Sequence, residues 1–194
     1  MPIYNNKYVF LHIPRTGGTI IEKKLREKYS QDYYGEDKIG LSKQHYTLDK
    51  LISNKDKNNI FVFTFVRNPF DRILSSYLNY TINNTPDFDK YIDMVKNVVE
   101  NKLYLCEGAI NTNDISHYTP MTTMIGNYKL DFIGKFENYE NDIKKLSEIS
   151  EMKNLNETKI NKRNIDYRKF YNERNKKIIS ELYKDDLKEF NYTF

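Results

Sequence analysis

The stretch Phe10-Leu-His-Ile-Pro-Arg-Thr-Gly-Gly-Thr-Ile-Ile-Glu-Lys-Lys-Leu25 sets two adjacent glycines and one arginine between an apolar run and a helix-like segment. A strand that stops at Pro14, a Thr-Gly-Gly turn and an amphipathic helix would aim backbone N–H groups and a positive helix end at one point. The natural occupant of that point is an anion. The alternative is a tight connection in which Gly17 and Gly18 only permit unusual backbone angles.

The strand, turn, helix order recurs along the chain. Residues 7–13 (KYVFLHI) and 60–66 (IFVFTFV) are short apolar runs rich in β-branched and aromatic residues, as in strands buried on both faces, and 130–136 (LDFIGKF) is a third apolar run that leads into a helix-like segment. After the second, Asn68 suits an N-cap and Pro69 a first helical position, and Ile73, Leu74, Tyr77 and Leu78 mark one helix face. Asn138 stands in capping position after the third run, and Thr85-Pro86-Asp87 reads as another helix start. Residues 106–123 read as an irregular connection and 154–164 as a loop. A single long C-terminal helix is expected from the cap Asp166. Strands alternating with helices predict an α/β domain on a parallel sheet, with ligands at the carboxyl ends of the strands.

With 194 residues, 39% of them hydrophobic, the chain suffices for one domain (1–194) with a real core. Its 31 Lys plus Arg against 27 Asp plus Glu give +4, spread too evenly to argue for a nucleic-acid partner. No secretory leader or membrane-length apolar run is recognisable, and the single cysteine, Cys106, has no partner for an internal disulfide. The expectation is a cytoplasmic protein. No metal site is predicted.

The opening turn is not a Walker A loop, since no Lys-Ser/Thr follows the glycines and the basic residue precedes them. Arg67 ends the second strand, and Ser75 lies eight residues on, early in the helix capped by Asn68. A guanidinium, a hydroxyl and a helix N-terminus could converge on one phosphate. Taken alone, Arg67 could equally pair with Asp71. Two anion sites suggest a ligand with two separated anionic groups.

HIPRTGGT (12–19) resembles the 5'-phosphosulfate loop, and FVRNPFDRILSSY (65–77) the 3'-phosphate motif, of sulfotransferases that use 3'-phosphoadenosine 5'-phosphosulfate (PAPS), notably the carbohydrate O-sulfotransferases of the heparan-sulfate 2-O and 6-O type and their smaller microbial or viral cousins. Later segments follow in family order. The resemblance implies a P-loop-NTPase-like three-layer α/β/α fold with a central parallel sheet. It assigns Arg15, Thr16, Gly17, Gly18 and Thr19 to the 5'-phosphosulfate, Arg67 and Ser75 to the 3'-phosphate, and Lys162 and Arg163 to a loop closing over the nucleotide. The family usually carries Lys where Arg15 stands; Arg keeps the charge but is a poor proton donor. PAPS would be the sulfuryl donor, adenosine 3',5'-bisphosphate (PAP) the product, and a saccharide hydroxyl the acceptor.

Sulfuryl transfer needs a base for the acceptor hydroxyl, and histidine, whose ordinary pKa suits that role near neutrality, occurs three times. His45 stands where the 2-O-type relatives carry their catalytic histidine, against the alternative of a surface residue; Glu36 or Asp37 would be carboxylate substitutes. His12 reads as structural or nucleotide-neighbouring. His117 lies where relatives show His-x-x-Pro-Gln, with Met121 in place of the Gln, and is the candidate acceptor contact. Glu137 and the tyrosines Tyr77 and Tyr183 read as structural. Two rivals stay open: a nucleotide or small-molecule kinase needing magnesium and ATP, and a bisphosphonucleotide-binding module without catalysis.

Overall fold

The computed structural model describes residues 3–5, 7–29, 31–32, 60–80, 87–103, 116–150, 152, 155, 160 and 165–194. The chain divides into two compact units, Met1–Val66 with Met124–Lys162, and Arg67–Thr123 with Arg163–Phe194.

The first unit holds the sheet. Its strands are β1 (Ile3–Tyr4), β2 (Tyr8–Leu11), β3 (Gln31–Asp32), β4 (Phe61–Val66) and β5 (Phe132–Lys135), in the order β3-β1-β2-β4-β5. The three apolar runs pair in parallel, Leu11 opposite Thr64 and Val66 opposite Lys135; the two expected to be buried on both faces are so, while β5 is an edge strand with Ile133 exposed. The α/β class with a parallel sheet flanked by helices is therefore the observed one. Two short antiparallel strands extend it, with Ile3 opposite Val9 and Tyr4 opposite Gln31. At two residues each, β1 and β3 are too short to leave a periodic signal.

Alternation decides which side chains meet the helices. Tyr8, Phe10, Phe63 and Phe65 share one face and form a buried core with Ile21 and Leu25 of α1 (Gly18–Lys28) and Tyr139, Ile143 and Leu146 of α5 (Tyr139–Ile149). Phe10 stacks on Phe63 at 5.1 Å between centroids, and Phe65 meets Tyr139 at the same separation. Val9, Leu11, Val62, Thr64 and Val66 point the other way and are equally buried. The Thr64 hydroxyl donates to the Leu11 carbonyl at 2.7 Å, tying β4 to the end of β2.

The second unit is helical. It comprises α2 (Pro69–Tyr80), α3 (Phe88–Glu100), a 3-10 turn (Tyr167–Phe170), α6 (Glu173–Leu182) and α7 (Lys184–Glu189) around Phe70, Ile73, Tyr91, Ile92, Val95, Ile179 and Tyr183. The helix α4 (Met121–Ile125) straddles the boundary between the units and falls partly within the segment read as irregular. Its start is held by Asp186 of α7, a fully buried carboxylate accepting from the Met121 and Thr122 N–H groups, both at 2.8 Å, and from the Thr122 hydroxyl at 2.7 Å. Burial pushes the Asp186 carboxyl above its ordinary range, and those donors only partly offset it.

The expected long C-terminal helix is in fact three pieces. Asp166 caps only the 3-10 turn, accepting from Arg168 N–H, and Asn172 opens α6 by accepting from Asn175 N–H at 2.8 Å. The second break falls at Tyr183, whose ring is fully buried and whose hydroxyl donates to the Tyr118 carbonyl at 2.7 Å. The apolar spacing runs through both breaks, so periodicity alone cannot reveal them.

Candidate anion-binding site

Between β2 and α1 the backbone reverses twice. Arg15 has φ of 68° and Gly17 φ of 86°, while Thr16 between them does not share the left-handed conformation. Positive φ alternating with negative φ is the backbone pattern that can turn successive N–H groups toward one anion, the nest. Gly17 is also the N-cap of α1, and no side chain caps that end. The first turn of α1 contains no acidic residue. Nest and helix N-terminus thus present the same kind of surface, rich in N–H and without a competing carboxylate.

Each residue of the loop has a definable part. Thr16 is fully buried and its hydroxyl donates to the Ile13 carbonyl at 2.8 Å, so its side chain fastens the loop while its backbone belongs to the nest. Arg15 is half-buried, and Thr19 is exposed. Gly17 needs its left-handed angle, and a Cβ there would lie 3.3 Å from Ile160 and Phe136. Gly18 needs its missing side chain: a Cβ would come within 2.4 Å of His12 and 2.9 Å of Phe10.

His12 lies under this loop rather than in it. Its ring stacks on Phe10, with centroids 5.6 Å apart and planes 21° apart, and Nδ1 is 2.9 Å from Glu22 Oε2. The other Glu22 oxygen accepts from Arg26. Burial alone would raise the Glu22 carboxyl, but His12 and Arg26 together hold it below its ordinary value. Sequence reasoning missed Glu22, although its place one helical turn beyond Gly18 was available as a signal.

The second unit carries the other candidate anion contacts. Arg67 and Ser75 are both buried, at 9% and 8% exposure, and belong to the segment that opens and forms α2. The Arg67 Nε–H donates to Asp71 at 2.8 Å, so the pairing offered as its alternative role is present. Asn68 caps α2 as expected, accepting from Phe70 N–H at 3.1 Å, while its amide donates to the Thr193 carbonyl at 2.8 Å and the Tyr167 hydroxyl at 3.2 Å. His117 is half-buried beside Tyr118.

His45, Lys162, Arg163, Glu36, Asp37 and Cys106 lie outside the described residues. Among the described residues no group of three or more His, Cys, Asp or Glu could hold a metal ion, and no helix is long and apolar enough to cross a membrane. Compared with known proteins, residues 4–193 match the model of a family described as the sulfotransferase family. No curated protein and no solved structure matches the chain.

Proposed function

Given that the chain belongs to the sulfotransferase family, we propose that it transfers the sulfuryl group of PAPS to a hydroxyl of an acceptor, of saccharide class, leaving PAP. The observation that carries this reading is the loop at Arg15–Gly17, where two residues of positive φ lead into a helix end with no side-chain cap and no acidic residue in its first turn. The site suits an anionic donor end. Nothing in that first turn would repel it.

In this reading the N–H groups of the nest and the Arg15 guanidinium stabilise the charge that grows on the leaving 5'-phosphate. Arg15 does so as a permanent cation and does not transfer a proton. Arg67 and Ser75 hold the 3'-phosphate, with Asp71 fixing the guanidinium from its Nε side. Lys162 and Arg163 close over the nucleotide, His117 contacts the acceptor, and His45 takes the proton of the attacking hydroxyl. The saccharide class of the acceptor and a cytoplasmic location rest on the resemblance and the composition of the chain.

Calorimetric titration with PAP, AMP and ATP, each with and without magnesium, tests the reading. Binding that is independent of magnesium and requires the 3'-phosphate supports it, and turnover of labelled PAPS that survives in the wild type but is lost in His45→Ala assigns the base. Preference for magnesium-ATP would replace it with a kinase. PAP binding without any sulfuryl transfer would leave a binding module.

A further inference from the structure

Among the described residues His12 is the histidine packed against the donor loop, and its geometry separates two roles. A general base must offer a ring nitrogen to the acceptor. Here Nδ1 is committed to Glu22 at 2.9 Å, and the Nε2 side lies beneath Gly18, where an added Cβ would stand 2.7 Å from Nε2 and 2.4 Å from Cδ2. One ring face is stacked on Phe10. The ring is therefore held on three sides and supports the first residue of α1.

Glu22 completes the support. It is only 5% exposed, stands one turn into the helix that Gly18 begins, and reaches back to the residue that follows β2. The bond between His12 and Glu22 closes a bridge across the base of the loop, from the strand end to the helix. Arg26, one turn further on, takes the second Glu22 oxygen and compensates its buried charge. Its guanidinium also interacts with Tyr4.

We propose that Glu22 and His12 are positioning residues for sulfuryl transfer, a brace that fixes the first turn of α1 against the end of β2 and so holds the nest in register with the 5'-phosphate of the donor. This rests on the proposed PAPS-dependent function. Neither side chain touches the donor. The brace acts through Gly18, whose backbone can rest on the His12 ring only because it carries no side chain.

The test compares two nucleotides that differ only at the 5' end, adenosine 3',5'-bisphosphate and adenosine 3'-monophosphate, by calorimetry on the intact chain. Their affinity ratio isolates the nest from the rest of the site. In Glu22→Gln, which keeps the volume but removes the charge that His12 and Arg26 share, the ratio is expected to fall on the order of tenfold while affinity for the 3'-monophosphate is unchanged. His12→Ala should lose the ratio similarly. His12→Asn, which keeps a nitrogen donor near the Nδ1 position, should restore most of it. Thermal melting of each variant shows whether it is folded, and general unfolding would lower both affinities together. A wild type that binds both nucleotides equally, or neither, overturns the functional reading itself. A wild type that prefers the bisphosphate, with folded Glu22→Gln and His12→Ala keeping that preference, overturns the brace alone.

Discussion

Replacing Gly18 by alanine adds one methyl group at a place where three heavy atoms stand 2.4, 2.7 and 2.9 Å from its position. Carbon atoms in ordinary contact are about 3.5–4.0 Å apart, so something must move by about 1 Å. Two of the three atoms belong to His12, which cannot swing aside without leaving Glu22 and the face of Phe10. Overpacking of this kind costs about 1–3 kcal/mol, while the stiffer unfolded chain of an alanine variant returns about 0.4–1 kcal/mol. The net expectation is a loss of about 1–2 kcal/mol. For a chain of this size each kcal/mol lowers Tm by about 2–4 °C. Urea unfolding and thermal melting of the variant measure the loss directly. Combining it with His12→Ala should show coupling of at least about 0.5 kcal/mol, because the ring that obstructs the methyl is gone. A Gly18→Ala variant as stable as the wild type, or strict additivity in the double variant, would refute the tight seat assigned to α1.

Glu22, held below its ordinary value of 4.5, contributes stability above its unfolded pKa that disappears as pH falls through its folded pKa. Wild type and Glu22→Gln should therefore differ in urea stability at pH 7 and draw together as pH falls below 4.5 and through the folded pKa of Glu22; Asp186 is common to both and cancels, and a constant difference would be the contrary result. Asp186→Asn turns an N–H group toward at least one of three buried donors and should cost about 2–3 kcal/mol in the same assay; a change under about 0.5 kcal/mol would mean that the cap of α4 does not depend on the charge. Asn68→Asp preserves a good N-cap but loses the donors to Thr193 and Tyr167, so a loss of about 1–2 kcal/mol is expected, whereas wild-type stability would show that only the cap matters. Arg67→Ala should weaken PAP far more than adenosine 5'-phosphosulfate, which has no 3'-phosphate; equal losses would make Arg67 structural.

Much of the first unit could be read from the sequence because its signals are local. Tyr8–Leu11 and Phe61–Val66 are continuous apolar runs, and Gly17 and Gly18 stand where a reversal and a close approach require them. Asn68 and Pro69 mark the start of α2 for the same reason: cap chemistry acts over three or four residues. What escaped depends on partners distant in sequence. Asp186 caps a helix 64 residues away, and the break at Tyr183 follows from a hydroxyl bonded to Tyr118, 65 residues earlier. No window of local sequence contains either pair. Glu22 escaped for another reason, since a charged residue on an amphipathic helix is ordinarily a solvated one. Arg67 had two readings, phosphate contact and pairing with Asp71, and the observed pair is compatible with both.

The order of strands bears on how the chain is made. β2 is synthesised before its parallel neighbours, since β4 begins only at Phe61 and β5 at Phe132. Tyr8 donates its hydroxyl to Ser150, 142 residues later. At about 5–20 residues per second, a ribosome needs about 7–28 s to supply that acceptor. Throughout this interval the aromatic face of β2 and β4 lacks α5, and the free edge of β4 lacks β5. A nascent chain arrested before Phe132 would expose both, an unpaired strand edge and a row of phenylalanines covered by α1 alone, which is the combination that attracts chaperones and seeds aggregates. The sheet is therefore completed only after the helices encoded between its strands have been made.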